Sequence, residues 1–157
     1  MPTGNTGISE RILPRLWLFP LTYIVHFAEE YFCGETFPVW LAKLRGIELG
    51  LKDFIILNAI AWLVMALSSW AASRWAAAKW AIPALGFVVA FNGALHATGS
   101  VVTLSYSPGL ISGLLLWLPL GIHAVSRGWR SLSRRQFWTG ITAGVAAHAI
   151  VSLAALK

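Results

Sequence analysis

Five long apolar stretches constrain this chain more than any other feature of its sequence. They cover residues 13–33, 53–73, 80–104, 108–126 and 136–156. Each is close to the roughly 20 residues that a helix needs to cross a lipid bilayer. Because a bilayer offers no hydrogen bonds to the backbone, such stretches must form helices. The sequence therefore predicts an all-α, polytopic membrane bundle of about five transmembrane helices, in a single domain covering residues 1–157.

The composition agrees with a surface that faces lipid. Only 11% of the residues are charged and 57% are hydrophobic, whereas soluble domains carry about a quarter charged residues. The net charge of +6 lies in short segments between apolar stretches, where Lys and Arg set membrane orientation. We therefore expect the lipid bilayer, and no nucleic acid, as the partner. The single cysteine, Cys33, excludes a disulfide within the chain.

The segment 36–49 differs from the five stretches because it mixes apolar and charged side chains. Trp40 and Leu41 alternate there with Lys43 and Arg45. This pattern is typical of a short helix that lies on the membrane surface. An ordinary polar loop is the alternative.

Basic residues predict the orientation. Eight Lys and Arg side chains fall on the side of the N-terminus and of the 127–135 loop, and four fall on the other side. Because the cytoplasmic side of a membrane protein carries the excess of Lys and Arg, we expect the N-terminus inside and the C-terminus outside.

Polar side chains occur inside the predicted spans, although an ionisable group there costs several kcal/mol, roughly, on insertion scales. Six of them are His26, Glu29, Glu30, Asn92, His96 and His148. At 100° per residue, His26, Glu29 and Glu30 share one face of the first helix. Asn92 and His96 likewise share one face of the third. Such faces turn away from lipid, so we expect them to meet inside the bundle.

Depth places three histidines together. At 1.5 Å per residue from the predicted cytoplasmic ends, His26, His96 and His148 lie roughly 17–22 Å deep. His123 lies near the cytoplasmic end instead. A single histidine in a span is often a hydrogen-bonded packing residue, but three at one depth indicate a site.

A metal site is the first interpretation. His26 and Glu30 are one helical turn apart and can hold one ion, and His96 and His148 complete the set of ligands. Imidazole and carboxylate suit zinc, which would support hydrolysis, or iron, which would support oxidation. Glu29 would act as a general base, a supporting partner or a bridge.

A metal-free site is the second interpretation. Two adjacent carboxyls do not both ionise easily, so one of Glu29 and Glu30 can keep a proton and donate it. Trp62 and Trp117 lie inside spans and can stabilise a carbocation, as an isomerase or cyclase of sterols or terpenes requires. A third interpretation is a non-enzymatic carrier or binding protein for protons or metal ions, although the polar face does not continue to the cytoplasmic side.

Three motifs carry a family resemblance. The sequence is HFAEE at residues 26–30, NGALH at 92–96 and YSPG at 106–109. In this order they resemble the HxxEE, NxxxH and YxPG motifs of the HXXEE family of small bacterial membrane proteins. The resemblance implies an integral enzyme of the bacterial inner membrane with no assigned reaction. Beside it, the position of the YSPG turn predicts a lid whose Tyr106 hydroxyl reaches the substrate or Glu29, the alternative being a plain hairpin.

The predicted function is therefore an integral membrane enzyme that acts on a lipid-soluble substrate, such as a lipid, a sterol or a terpenoid. The candidate catalytic residues are His26, Glu29, Glu30, Asn92, His96 and Tyr106. The candidate metal ligands are His26, Glu30, His96 and His148. The cofactor is zinc, iron or none, and the sequence does not specify the substrate or the oligomeric state.

Overall fold

The computed structural model describes residues 15–46 and 49–155, and their regular structure is entirely helical. Six helices follow one another: α1 Leu18–Phe32, α2 Phe37–Arg45, α3 Leu51–Arg74, α4 Ala81–Thr103, α5 Leu110–Ser131 and α6 Arg134–Ala155. A short 3₁₀ turn, Ala76–Ala78, links α3 to α4. The predicted all-α architecture is confirmed.

Four helical stretches within the described residues are long and apolar enough to cross a membrane. They are α3, the stretch Ala76–Thr103 that contains α4, α5 and α6. The 15 residues of α1 extend roughly 22 Å, and the predicted start of this span at residue 13 lies outside the described residues. The structure thus shows four candidate spans, and the fifth stays a prediction.

The segment expected on the membrane surface forms α2. Pro38 in its first turn suits a helix start, where proline loses no hydrogen bond, and Gly46 ends the helix in a left-handed conformation. The helix is shorter than the predicted segment 36–49, and residues 47 and 48 lie outside the described residues. Trp40 and Leu41 are buried against the bundle.

Helix α4 occupies the centre of the bundle. It packs against α5 on one side and α6 on the other, while α1 packs against α3. The core cluster joins α1, α3, α4 and α5, with Phe19, Met65, Val89 and Trp117 among its buried members.

Glycines bring α4 close to its neighbours. A methyl group built on Gly93 would lie 2.5 Å from the carbonyl oxygen of Gly113 in α5. One built on Gly140 of α6 would lie 2.2 Å from the carbonyl oxygen of Trp80. Both distances are far inside van der Waals contact, so these contacts exist because neither position carries a side chain.

Helix α5 contains a wide turn. Gly113–Trp117 is a π-helical segment, and Pro119 follows two residues later. Because proline has no N–H, the carbonyl of Leu115 lacks its α-helical donor, which favours the wider turn. The indole of Trp117 is buried in the bundle, with 3% of the residue exposed.

Candidate functional site

Three buried side chains from two helices converge at one point. His26 and Glu30 lie one turn apart on α1, and His96 comes from α4; a nitrogen or oxygen of each lies within 4.8 Å of the others. Oε1 of Glu30 is 3.5 Å from Nε2 of His26 and 3.3 Å from Nε2 of His96. At most 5% of each residue is exposed. We call these three residues the His–Glu–His group.

Two serines orient the imidazoles. Nδ1 of His26 is 2.8 Å from Oγ of Ser112, and Nδ1 of His96 is 3.0 Å from Oγ of Ser107. With Nδ1 held in this way, each ring directs Nε2 towards Glu30. A hydroxyl can accept as well as donate, so each ring can keep its proton on Nδ1 and present a lone pair at Nε2.

Aromatic rings enclose the group. The indole of Trp117 stacks on the ring of His26, with centroids 3.7 Å apart and planes at 26°. The ring of Phe37, from α2, lies 5.5 Å from that of His96. These rings place apolar surface beside the two imidazoles, and a less polar setting strengthens electrostatic interactions among the three side chains.

The neighbouring Glu29 makes different contacts. Its Oε1 accepts hydrogen bonds from the Tyr106 hydroxyl at 2.5 Å and the Ile111 N–H at 2.8 Å. Its Oε2 accepts one from the Ser112 N–H at 2.7 Å. Ile111 and Ser112 lie in the first turn of α5, whose N–H groups have no partners within the helix. These bonds favour a supporting role for Glu29, because Ser112 also holds the ring of His26.

The predicted reach of Tyr106 is confirmed, because its hydroxyl donates to Glu29. Tyr106 belongs to the turn between α4 and α5. Partial burial and the adjacent Glu29 carboxylate raise the pKa of its phenol above the usual value. The phenol therefore stays protonated, and remains a donor, throughout the physiological pH range.

The rest of this turn touches the His–Glu–His group directly. Pro108 is fully buried. Gly109 has a φ of +95°, and a methyl group on it would lie 2.8 Å from Cε1 of His26 and 2.9 Å from Cε1 of His96. Ser107, Pro108 and Gly109 thus form one wall of the site.

Sequence reasoning did not assign roles to Ser107, Gly109 or Ser112. The first two lie in the YSPG motif, which was a usable signal. Ser112 had no comparable signal, because its spacing from His26 follows no helical period.

A cavity of about 520 Å³ adjoins the group. Its walls come from α1, α2, α3, α4, α5 and α6 and are mostly apolar. Its lining includes Phe37, Trp40, Leu41, Asn92, His96, Trp117 and His148.

Asn92 and His148 line this cavity but stand outside the His–Glu–His group. Gly144 packs against the first half of α4, and one turn later the His148 ring meets that of Phe91 at 4.9 Å. His148 of α6 therefore lies beside Phe91 of α4, and Phe91 precedes His96 by about one helical turn. Within the described residues, Oδ1 of Asn92 and Nε2 of His148 are buried without a hydrogen-bond partner.

The two tryptophans expected inside the spans have different surroundings. Trp117 lines the cavity. Trp62 does not, because its indole N–H donates to the carbonyl oxygen of Pro20 at 3.0 Å on the α1–α3 contact. Beside Trp117, the Tyr23 hydroxyl donates to Oδ1 of Asn58 at 2.8 Å.

His123 lies at the other end of the bundle, as the sequence predicted. Its Nε2 accepts a hydrogen bond from the Arg15 guanidinium at 3.3 Å. It takes no part in the cavity beside the His–Glu–His group.

The sequence matches a known family model. A family model described as "Protein of unknown function with HXXEE motif" matches residues 17–124, which is more than half of the chain. No curated protein and no solved structure is significantly similar to it.

Proposed function

Since the chain belongs to the HXXEE family, whose function is unknown, we propose a function from its own site: a membrane metalloenzyme that acts on a lipid-soluble substrate. His26, Glu30 and His96 hold one zinc or iron ion, and the adjoining cavity receives the substrate. The observation that carries the proposal is the convergence of two imidazole nitrogens and one carboxylate oxygen in a buried, aromatic setting.

The distances suit ligands of one ion. Ligand atoms about 2.0–2.1 Å from a tetrahedral zinc are roughly 3.3 Å from one another. The two N–O distances are 3.3 and 3.5 Å, longer than ordinary hydrogen bonds. His26 Nε2 makes no hydrogen bond within the described residues, which leaves its lone pair available.

The ligand set also suits a reactive ion. Two histidines and one carboxylate leave coordination positions open for water or substrate, as in catalytic zinc sites and in non-haem iron sites. Bound metal would supply either an activated water for hydrolysis or a redox centre for oxidation. Ser107 and Ser112 fix the imidazole rings, as the outer partners of metal ligands do.

The lining of the cavity supports an apolar substrate. Phe37, Trp40 and Leu41 give it apolar walls, which suit a lipid, a sterol or a terpenoid. Asn92 and His148 add polar groups to the same walls. We assign these two side chains to contacts with the polar part of the substrate.

Metal analysis of the detergent-purified protein tests the proposal. After expression with zinc and iron supplied, we expect about one ion per chain in the wild type and background metal in Glu30→Gln. Glu29→Gln weakens the support of the turn that carries Ser112, so the metal affinity of this variant should fall about 10–100-fold. His123→Gln is the matched control and should retain full metal content, because His123 lies outside the site.

A wild type without metal would exclude the metalloenzyme. It would favour a metal-free acid–base isomerase or cyclase, for which the stacking of Trp117 on His26 is the specific observation. A protonated imidazole in that position gains a cation–π contact and can exchange a proton with Glu30. Glu30→Gln would then abolish turnover of an isoprenoid substrate while metal stays at background in every variant.

A further inference from the structure

A second cavity lies at the opposite end of the bundle from the His–Glu–His group. Its volume is about 110 Å³, and it is formed by the beginning of α1, the segment before α4 and the last turns of α5. It shares no lining residue with the larger cavity. We call it the basic pocket.

Three cations from three separate segments line the basic pocket. Arg15 precedes α1, Lys79 precedes α4 and Arg127 lies near the end of α5. Their convergence on one small concave space creates a positive potential that favours an anion.

No described carboxylate neutralises this charge. Within residues 15–46 and 49–155 there are four acidic side chains, and none lines the pocket. Glu29 and Glu30 serve the His–Glu–His site, Glu35 pairs with Lys43, and Asp53 lies beside Gly50.

His123 orients one of the cations. Because a guanidinium can only donate, Nε2 of His123 is the acceptor of the hydrogen bond from Arg15. The bond fixes one edge of the guanidinium and leaves its other N–H groups available. Arginine presents such groups as a planar fork that matches phosphate oxygens.

The remaining wall of the pocket is mostly apolar, with Ser131 as a further polar residue. It is lined by Leu16, just before α1, by Phe19 of α1, Ile82 of α4, and Leu120 and Ala124 of α5. A ligand that fills the pocket therefore needs both an anionic group and a hydrocarbon part. This combination favours an amphiphile over a free anion.

We propose that the basic pocket binds the phosphate of an anionic phospholipid. Arg15, Lys79 and Arg127 contact the phosphate, His123 positions Arg15, and the hydrocarbon part of the lipid lies along the apolar wall. Basic pockets between transmembrane helices are suited to lipid headgroups in this way. The site is independent of the metal and of the proposed reaction.

The chain offers matched controls for this proposal. Arg74 and Arg130 lie at the same end of the bundle but do not line the pocket. Replacing either one removes the same charge as Arg127→Gln from the same side of the molecule. Any effect of net charge alone will therefore appear in the controls too.

Native mass spectrometry of the detergent-solubilised full chain measures lipid binding. Wild type should bind dioleoylphosphatidylglycerol at least about tenfold more tightly than dioleoylphosphatidylcholine, given about fivefold per cation near a headgroup. Arg127→Gln should weaken phosphatidylglycerol binding about fivefold and Arg15→Gln/Arg127→Gln about 25-fold. His123→Leu should also weaken it, although it removes no charge. Arg74→Gln and Arg130→Gln should stay within about twofold of wild type.

Three results would overturn the proposal. Equal affinity of the wild type for the two lipids would show that the pocket does not select anionic lipids. This comparison uses the wild type alone, so it does not depend on whether a variant folds. Displacement of phosphatidylglycerol by soluble glycerol phosphate at equal concentration would assign the pocket to a soluble phosphate instead of a lipid. Equal losses in Arg127→Gln and Arg130→Gln would likewise reduce the effect to net charge.

Discussion

Glu29 and Glu30 are adjacent in α1, yet their carboxylates have no contact in common. Successive residues of a helix point about 100° apart, so Glu30 faces two imidazoles while Glu29 faces the first turn of α5 and Tyr106. One glutamate is placed to bind an ion. The other holds the helix that supplies the Ser112 partner of His26.

Gly109 limits the space beside the imidazoles, which gives a prediction for Gly109→Ala. The new methyl group would clash with His26 and His96, so the two rings must move apart. Metal affinity should therefore fall about 10–100-fold, the typical loss when the partners that orient metal ligands are removed. Metal titration of the purified variant measures this change.

Gly46→Ala is the control for the backbone. Gly46 also has a positive φ, +67°, but a methyl group on it would meet nothing within 4 Å. Both variants therefore bear the left-handed strain of roughly 1–2 kcal/mol, and only Gly109→Ala adds the clash. If the two variants bound metal equally well, Gly109 would have no special place at the site.

Helical periodicity predicted the contacts that lie within one helix and part of those between helices. The pairing of His26 with Glu30 follows directly from a spacing of four residues, and similar depth brought His96 towards them. The same depth argument added His148, but its ring lies beside Phe91, about one turn of α4 away from His96. Depth along a helix does not fix rotation around it or register between helices, and a metal site is sensitive to both.

At the scale of elements, the apolar stretches predicted the helices well. The stretch 53–73 corresponds to α3, Leu51–Arg74, and 136–156 to α6, Arg134–Ala155. The stretch 108–126 is different, because α5 continues to Ser131 and contains the π turn. A π turn depends on how neighbouring helices pack, so hydrophobicity alone does not reveal it.

The contact between α4 and α5 gives a second prediction. Gly93→Ala places a methyl group against the Gly113 backbone, which cannot move without separating the helices. Such overpacking costs about 1–3 kcal/mol. We expect thermal unfolding in detergent, followed by tryptophan fluorescence, to show a clear decrease in Tm.

Gly99→Ala is the matched control on the same helix. There the methyl group would meet the far end of the Trp40 side chain at 2.6 Å, and a side chain of α2 can rotate away. The Tm should therefore decrease less than in Gly93→Ala. An equal decrease in both variants would show that the backbone contact is not the limiting one.

For the whole molecule, the two cavities belong to opposite ends of one bundle. Phe19, Val89 and Trp117 are among the buried core residues, and Phe19 and Trp117 line the basic pocket and the larger cavity respectively. The basic pocket and the His–Glu–His group can therefore be altered separately. A variant of the basic pocket should leave the metal content unchanged.

The topology is testable by fusions at both ends. The basic residues predict the N-terminus inside and the C-terminus outside, which requires α1 to cross the membrane with the four candidate spans. A reporter that is active only in the cytoplasm should work at the N-terminus and fail at the C-terminus. Activity at both ends would mean an even number of spans, with α1 not crossing.

The hydrogen bonds of Glu29 have a consequence for the order of events during synthesis of the chain. Its partners Tyr106 and Ser112 follow it by 77 and 83 residues. At roughly 5–20 residues per second, a ribosome needs roughly 4–16 seconds to make that length of chain. Until those residues are made, the Glu29 carboxyl lacks the partners that it has in the complete protein. We therefore expect nascent α1 to stay at the insertion machinery or at the membrane surface until α5, the fourth of the later helices, begins to emerge.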